Sequence, residues 1–280
     1  MLRPFDERNR QGDGVRLLKG LHVLLAQLNP KLRDVEKNIE TAEGVLAHSA
    51  GTDLAIFPEL FLGGYTTSGV EDLALDLEGP EVGEMSRLAR ENDTAAIFGL
   101  HELVSDGVAN SAVCLDRRGN PAGTYQTTHL FDEERRTFVA GDELLIVNLE
   151  GIETGLMICF DVEFPEVARA LATAGANLLV TISANMDPFG RDHDVFATAR
   201  ALENGLPHLY VNQVGRGETY TFAGCTTVIS ADGERLATAS ITEDLVEASL
   251  DLSARNEERQ GLRPDYLQEL RGPLPVRRIT

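Results

Sequence analysis

The stretch GLMICFDVEFPE, residues 155–166, decides both the expected fold and the first candidate for a site. An apolar run of strand length ends at Cys159, and Pro165 opens an amphipathic segment. Proline is favoured in the first turn of a helix, so the stretch predicts a buried strand, a sharp turn and a helix. Such a turn lifts Cys159 out of the strand end, beside backbone N–H groups that stabilise a thiolate or an oxyanion. Taken alone, the residues leave a second interpretation open, in which Cys159 is a space-filling core thiol.

Composition narrows the class of protein. The chain has 280 residues, of which 42% are hydrophobic and 25% charged, as in globular proteins with a substantial core. Its net charge of −20 disfavours nucleic acid and anionic membranes as partners, because phosphate would be repelled. No run reaches the ~18 apolar residues of a membrane span, and residues 1–20 are too polar for a signal peptide. We therefore predict a soluble, cytoplasmic protein.

Residues that usually hold metals or disulfides are few and scattered. The three cysteines are too far apart in sequence for a disulfide framework or a zinc site, and the six histidines show no metal-ligand spacing. Cys114 and Cys225 are interpreted as core cysteines. The sequence implies no metal and no cofactor.

Strand and helix patterns alternate twice along the chain, over residues 21–103 and 153–215. Hairpin signals lie between and after these stretches, around turns at 117–121, 150–151 and 232–233. The pattern predicts an α/β chain with mixed sheets, built from two similar halves. We expect a loose leader at 1–20, one domain at 21–252 and an extended tail at 253–280.

Individual elements follow from the same periodicities. Strands are predicted at residues 21–28, 54–57, 94–103, 177–183 and 208–214, and helices at 34–49, 81–92, 165–174 and 194–203.

Glu59 is the second candidate for chemistry. It follows the apolar residues 54–57 and Pro58, so it stands at the end of a buried strand, as Cys159 does. Ligands gather at the carboxyl ends of strands in open α/β sheets, and a carboxylate within reach of a thiol can act as its general base. By itself, Pro-Glu after a strand is also consistent with a solvated turn.

Three blocks together resemble a known family. FPEL (57–60), YQTTHLF (125–131) and ICFD (158–161) look like the signature blocks of the nitrilase superfamily of carbon–nitrogen hydrolases, in order and spacing, over roughly residues 20–260. Shorter matches support them at 63–65, 110–112, 138–142, 164–166 and 183–185. The resemblance implies a four-layer α–β–β–α sandwich. It also implies a homodimer or higher homo-oligomer, with the C-terminal tail reaching across to the partner.

The resemblance assigns roles to residues at matching positions. Glu59 would be the general base and Cys159 the nucleophile, and Glu134 would be the second active-site glutamate, which orients the substrate amide. The backbone N–H of Phe160 would be an oxyanion donor. His129 has a mostly structural counterpart in the family.

Further residues are candidates for the substrate pocket. Tyr65 belongs to a matching block, and Asn185, Met186 and Phe189 follow a strand end on the same side. Glu163 stands where many relatives carry arginine, which favours either a cationic substrate or a solvated helix start. Asp161 is interpreted as a cap of the following turn or helix.

The second block departs from the family at one position. The family reads Tyr-Arg-Lys-x-His, and here the position of the catalytic lysine holds Thr127. No lysine occurs after Lys37 to replace it. Without that cation we predict that either Glu59 or Glu134 takes up a proton, because close carboxylates do not both ionise readily. An engineered change, a natural pseudoenzyme and an unusual active enzyme are all open interpretations of Thr127.

The resemblance implies hydrolysis of a small-molecule amide through a cysteine thioester, with turnover impaired by Thr127. The compact block at 128–134 looks more like the amidase branches than the nitrilases. The alternatives are a nitrile or N-carbamoyl hydrolase, or a non-catalytic relative that binds an amide, an acyl ligand or a partner protein.

Overall fold

The computed structural model describes residues 20–48, 51–252 and 266–271. The predicted leader lies outside these residues apart from Gly20, and the predicted tail lies outside them apart from 266–271. The helices are α1 (Val35–His48), α2 (Pro80–Glu91), α3 (Glu134–Thr137), α4 (Pro165–Thr173) and α5 (Gly190–Asn204). The strands are β1 (Leu21–Gln27), β2 (Leu54–Ile56), β3 (Ala95–Val104), β4 (Gly107–Leu115), β5 (Pro121–Gln126), β6 (Ile146–Leu149), β7 (Ile152–Ile158), β8 (Leu178–Ser183), β9 (His208–Asn212), β10 (Val214–Arg216), β11 (Thr221–Ala223), β12 (Thr227–Ile229), β13 (Arg235–Thr238) and β14 (Asp244–Leu250).

Two six-stranded sheets organise the chain. The first has the strand order β14-β1-β2-β3-β4-β5, and the second has the order β13-β12-β9-β8-β7-β6. In the first sheet β1, β2 and β3 are parallel, and in the second β7, β8 and β9 are parallel. The flanking strands are antiparallel in both. The prediction of an α/β chain with two similar halves is confirmed.

The sheets pack face to face and carry helices on their outer faces. Along β1, Val23 and Leu25 point into the core between the sheets, whereas Leu24 and Ala26 point toward α1 and α2. The same alternation on β7 places Ile158 between the sheets and Met157 against α4. This period of two is a property of any strand, and strands buried on both faces are apolar at every position. The layers are therefore α–β–β–α, as the family resemblance implied.

Differences from the prediction lie where apolar patterning is weak. β14 is an edge strand in which Val246, Ala248 and Leu250 alternate with polar residues over only five positions, a weaker signal than a continuous apolar run, and no strand was predicted there. The strand predicted at 208–214 ends at Asn212, and Val214 begins a separate two-stranded ribbon of β10 and β11. No helix in the described part of the chain is long and apolar enough to cross a membrane.

Candidate active site

Cys159 lies in a tight turn directly after β7. It opens a 3₁₀ turn, Cys159–Glu163, and its φ is 43°, in the left-handed region that non-glycine residues seldom adopt. Such a conformation persists only where surrounding contacts enforce it. The N–H of Ile158 donates to Asp161 Oδ2 at 3.0 Å, and Arg200 donates to the carbonyl oxygens of Val162 and Glu163 at 2.9 and 3.0 Å. These bonds hold the turn from both ends.

Glu59 lies in a second turn, after β2. Leu60 has a φ of 48°, and the turn presses against β3 at Gly99, where a Cβ would lie 2.2 Å from the Leu60 nitrogen. Only glycine allows the backbones to approach so closely. From the second sheet, Gln213 Nε2 donates to the Glu59 carbonyl oxygen at 2.7 Å. The turn therefore presents Glu59 toward the second sheet, where Cys159 lies.

The Glu59 carboxyl is fully buried. Oε1 accepts a hydrogen bond from Asn110 Nδ2 at 2.6 Å, whereas Oε2 and Asn110 Oδ1 have no partner of good geometry. Burial, followed by the charge of Glu134, raises the pKa of Glu59 to about 8, while donation from Asn110 and the Cys159 thiol opposes the rise. At neutral pH this carboxyl is therefore mostly protonated.

The Cys159 thiol shares these surroundings. Ser183, at the end of β8, donates its hydroxyl to Cys159 Sγ at 3.4 Å. Burial and the charges of Glu59 and Glu134 raise the pKa of Cys159 well above its ordinary value, and the hydrogen bond from Ser183 opposes the rise. The thiolate therefore depends on nearby donors.

Glu134 completes the acidic group. It begins α3, is 3% exposed, and accepts bonds from the Tyr65 hydroxyl and the Phe131 N–H, both at 2.8 Å. Burial raises the pKa of Glu134, against these two hydrogen bonds. Glu59, Cys159 and Glu134 thus influence one another electrostatically, as expected for one site.

Thr127 is buried beside this group and brings no charge. Its N–H pairs with the Asn110 carbonyl oxygen at 3.1 Å, and its hydroxyl donates to Asp161 Oδ2 at 3.2 Å. Among the ion pairs of the described residues, none involves Glu59 or Glu134. The pKa values of both glutamates are raised, which agrees with the predicted uptake of a proton by one of them.

Asp161 connects the segment that follows β5 to the turn of Cys159. Besides the Ile158 N–H, its carboxylate accepts from the Tyr125 hydroxyl at 2.8 Å and from the His129 N–H at 3.0 Å. His129 stacks on Phe164 with ring centroids 3.9 Å apart. The predicted capping role of Asp161 agrees with these contacts, but its reach is wider than a cap. The hydrogen bond of His129 to Asp161 and its stacking on Phe164 are contacts that hold this segment in place.

The predicted pocket residues fall into two groups. Tyr65 and Met186 belong to one buried apolar cluster with Leu60, and Tyr65 contacts Glu134 directly. Asn185 is buried and donates to the Phe189 carbonyl oxygen at 3.1 Å, so it shapes the loop that carries Phe189. The rings of Phe160 and Phe131 meet edge to face with centroids 5.4 Å apart.

Glu163 is placed differently. Its carboxylate lies 3.3 Å from His193 Nε2, and its contacts do not include Glu59, Cys159 or Glu134. A role for Glu163 in substrate binding therefore stays a prediction, and its immediate neighbour is a buried histidine.

Asn110 and Ser183 touch the candidate site directly but received no role from the sequence. Both lie in short matching blocks, where a polar residue follows or interrupts an apolar strand. That interruption was the only signal for them.

The remaining cysteines differ from each other. Cys114 is fully buried, as predicted for a core cysteine. The same prediction is wrong for Cys225, which is partly exposed, with a φ of 65°. It stands in the turn between β11 and β12 and so escapes the core. The described residues contain no cluster of metal-ligating side chains.

Comparison with known proteins identifies the family. The carbon–nitrogen hydrolase family model matches residues 23–260. The chain is 36% identical over 247 residues to "Hydrolase in pqqF 5'region" of Pseudomonas protegens, covering 86% of this chain and 87% of that protein. It is 34% identical over 254 residues to an (R)-stereoselective amidase of Pseudomonas sp, covering 90% and 92%.

A solved structure is similar as well. In a mutant of the amidase from Nesterenkonia sp., the acetamide moiety of fluoroacetamide is covalently added at the active-site cysteine. That structure superposes with a TM-score of 0.78 at 25% identity, covering 90% of this chain and 94% of that one. The chain belongs to the carbon–nitrogen hydrolase family.

Proposed function

We propose that this chain hydrolyses a small-molecule amide to an acid and ammonia or an amine, through a thioester on Cys159. The observation that carries the proposal is the grouping of a thiol with two buried glutamates at one end of the sandwich. The similarity to amidases, and the covalent adduct in the Nesterenkonia amidase, support the same chemistry.

The chemistry divides into two displacements. In the fraction of molecules whose Glu59 is ionised, Cys159 Sγ attacks the amide carbon while Glu59 takes the thiol proton. Glu59 then returns that proton to nitrogen as the C–N bond breaks. Water then attacks the thioester, Glu59 takes a proton from it, and the C–S bond breaks as the sulfur regains a proton. The N–H of Phe160 donates to the oxyanion in both steps.

Thr127 limits this sequence of steps. Its hydroxyl is committed to Asp161, and a neutral group cannot offset the negative charge of the oxyanion or of the two glutamates. Loss of a single oxyanion donor lowers turnover by ~10²–10³, and a missing buried cation should lower it at least as much. We therefore propose slow turnover for the native chain.

The decisive experiment measures ammonia release from a panel of small amides and nitriles by the native chain, by Thr127→Lys and by Cys159→Ala. We expect slow release by the native chain, release at least ~10²-fold faster by Thr127→Lys, and none by Cys159→Ala. Hydrolysis by the native chain together with an inert Thr127→Lys would contradict the assignment of position 127.

A non-catalytic relative is the second candidate, and the uncharged Thr127 is the observation that favours it. Intact-mass measurement after incubation with each amide separates the two. A stable adduct on Cys159 without ammonia turnover indicates a stalled site, whereas binding without any adduct indicates a binding protein. Nitrile and N-carbamoyl substrates, a homo-oligomer and a cytoplasmic location remain predictions from the sequence.

A further inference from the structure

A chain of buried polar side chains leads away from Cys159 through Ser183. It runs from Ser183 at the end of β8 to Tyr210 on β9, and on to His193 on α5. Glu163, at the end of the 3₁₀ turn, is the last member. The distances are 3.4 Å from Ser183 to Cys159, 3.2 Å from Tyr210 to Ser183, 2.8 Å from His193 to Tyr210, and 3.3 Å from Glu163 to His193.

Because these groups are buried, the hydrogen bonds between them affect the free energy of folding. Ser183 and Tyr210 are fully buried, His193 is 2% exposed, and only the Glu163 side chain, at 30%, reaches solvent. Buried polar groups at a sheet–helix interface stabilise a fold poorly unless they are fully hydrogen-bonded. Here every link is made, and the chain connects solvent to the candidate nucleophile.

The direction of the hydrogen bonds follows from counting donors. Ser183 Oγ accepts from the Asn185 N–H at 3.1 Å and from the Tyr210 hydroxyl, which occupies both of its lone pairs. The Ser183 hydrogen is therefore free to point at Cys159 Sγ. Since Tyr210 donates to Ser183, its oxygen accepts from His193 Nδ1–H.

The far end of the chain is the contact between His193 and Glu163. With Nδ1 donating to Tyr210, His193 Nε2 lies 3.3 Å from the Glu163 carboxylate. Arg200 holds the backbone carbonyl of Glu163 at 3.0 Å, which fixes the start of that side chain. The donors of His193, Tyr210 and Ser183 then all point toward the sulfur.

We propose that Glu163, His193, Tyr210 and Ser183 form a positioning relay that orients a donor toward Cys159 Sγ and stabilises its thiolate. The inference rests on the proposed role of Cys159 as nucleophile. The relay supplies a hydrogen-bond donor to the sulfur at a site where position 127 holds no cation.

The pKa directions agree with this arrangement. The hydrogen bond from Ser183 lowers the pKa of Cys159 against the larger effect of burial. Burial and the Cys159 charge raise the pKa of Tyr210 well above its ordinary value, so Tyr210 stays a donor across the usable pH range.

The test measures the rate at which iodoacetamide alkylates Cys159 at pH values between 6 and about 10. Peptide mass spectrometry detects the product. The thiolate is the reacting form, so the rate reports the thiolate fraction. Tyr210→Phe, His193→Gln and Ser183→Ala should each slow alkylation by about tenfold across this pH range, because a thiol pKa raised by about one unit lowers the thiolate fraction about tenfold. Glu163→Gln should act in the same direction. Combining Tyr210→Phe with His193→Gln should add little, since either change breaks the same chain.

His208→Gln is the matched control. His208 is also buried and also contacts a hydroxyl at 2.8 Å, that of Thr181, but it does not lead to the sulfur. It should leave the alkylation profile of Cys159 unchanged, and partly exposed Cys225 serves as an internal reference for the reagent.

Native profiles in Tyr210→Phe and His193→Gln would overturn the relay, and so would an equal shift in His208→Gln. If the buried variants do not fold, partly exposed Glu163→Gln decides by the same measurement. Glu59, Glu134, Asp161 and Arg200 are charged groups packed against these elements, and none of them is changed in any variant. Alkylation needs no turnover, so failure of the relay and failure of amide hydrolysis are seen separately.

Discussion

At the scale of single residues, the central feature is a set of buried carboxyl groups around one thiol. The Asp161 carboxylate accepts hydrogen bonds from Tyr125, His129 and Ile158. Glu59 and Glu134 have fewer donors, and burial raises the pKa of both. The pKa of Glu59 is raised to about 8, so at neutral pH a proton neutralises most of this carboxyl.

This state makes stability depend on pH. Between the ordinary pKa of 4.5 and the folded value of about 8, folded Glu59 keeps its proton while the unfolded carboxyl loses it. The folded state then binds more protons, so its stability falls as pH rises through that window. Glu59→Gln removes this dependence, and we expect it to gain stability over the native chain progressively from pH 4.5 to 8. Urea unfolding at a series of pH values measures the difference.

Thr127→Lys provides the control for that measurement. A lysine near Glu59 lowers the pKa of the carboxyl, so the gap between native and Glu59→Gln stabilities should narrow when both carry Thr127→Lys. A pH-independent gap in the Thr127 background would contradict protonation of Glu59 in the folded state.

At the scale of elements, the site is made by turns that follow strands. β2 and β7 belong to different sheets, yet both end in a left-handed residue that redirects the chain, Leu60 in one turn and Cys159 in the other. The first turn is pressed against β3 at Gly99, and the second is tied down by Asp161 and Arg200. Backbone packing, more than side-chain propensity, sets where the glutamate and the thiol point.

Gly99→Ala tests this packing. The added Cβ would lie 2.2 Å from the Leu60 nitrogen and 2.7 Å from the Glu59 carbonyl carbon, so the backbone must shift. Strain of this kind in a packed interior costs about 1–3 kcal/mol, and we expect that loss in the free energy of unfolding.

Gly44→Ala is the matched control within α1, where an added Cβ meets nothing within 4 Å. Alanine favours the helix interior, so this variant should be more stable than the native chain by about 0.5–1 kcal/mol. The packing account fails if both variants change the free energy of unfolding with the same sign.

At the scale of the whole molecule, the interface between the two sheets is the main apolar core. Ile182 on β8 is 1% exposed and lies in it, one residue before Ser183. Ile182→Ala should lower the free energy of unfolding by about 2–5 kcal/mol, because it removes buried methyl groups and leaves a cavity.

Ile241→Ala removes the same atoms from a side chain that is 93% exposed. Its effect should stay within about 0.5 kcal/mol. Equal losses for the two variants, measured by chemical denaturation, would show that the contact between the sheets is not the stabilising core.

Much of the architecture was predictable because the relevant signals are local. The apolar runs that became β1, β2, β7 and β8 are buried on both faces, and their patterns can be read without knowing the partners. β14 was missed because its apolar residues alternate with polar ones over a short stretch, which is a weaker signal than a continuous apolar run. Cys225 was misplaced because cysteine is usually buried, and residue type says nothing about a turn between β11 and β12.

The residues of the candidate site also fall into those that local sequence identifies and those that it does not. Glu59 and Cys159 stand directly after apolar runs, so the sequence alone identified them, and the family resemblance added Glu134 and the anomaly at Thr127. The partners that adjust their protonation were not identifiable. Asn110 reaches Glu59 across 51 residues, and Tyr210 reaches Ser183 across 27.

The sequence by itself determined the strand–helix alternation, the two strand ends with candidate catalytic residues, and a threonine at the position where the family resemblance leads us to expect lysine. Each of these depends on residue type and spacing within one segment. Only the tertiary structure decided that Glu163 faces His193 and that Tyr210 and Ser183 connect that pair to the sulfur. Hydrogen bonds between distant segments depend on how the sheets and α5 pack, and no local pattern encodes that packing.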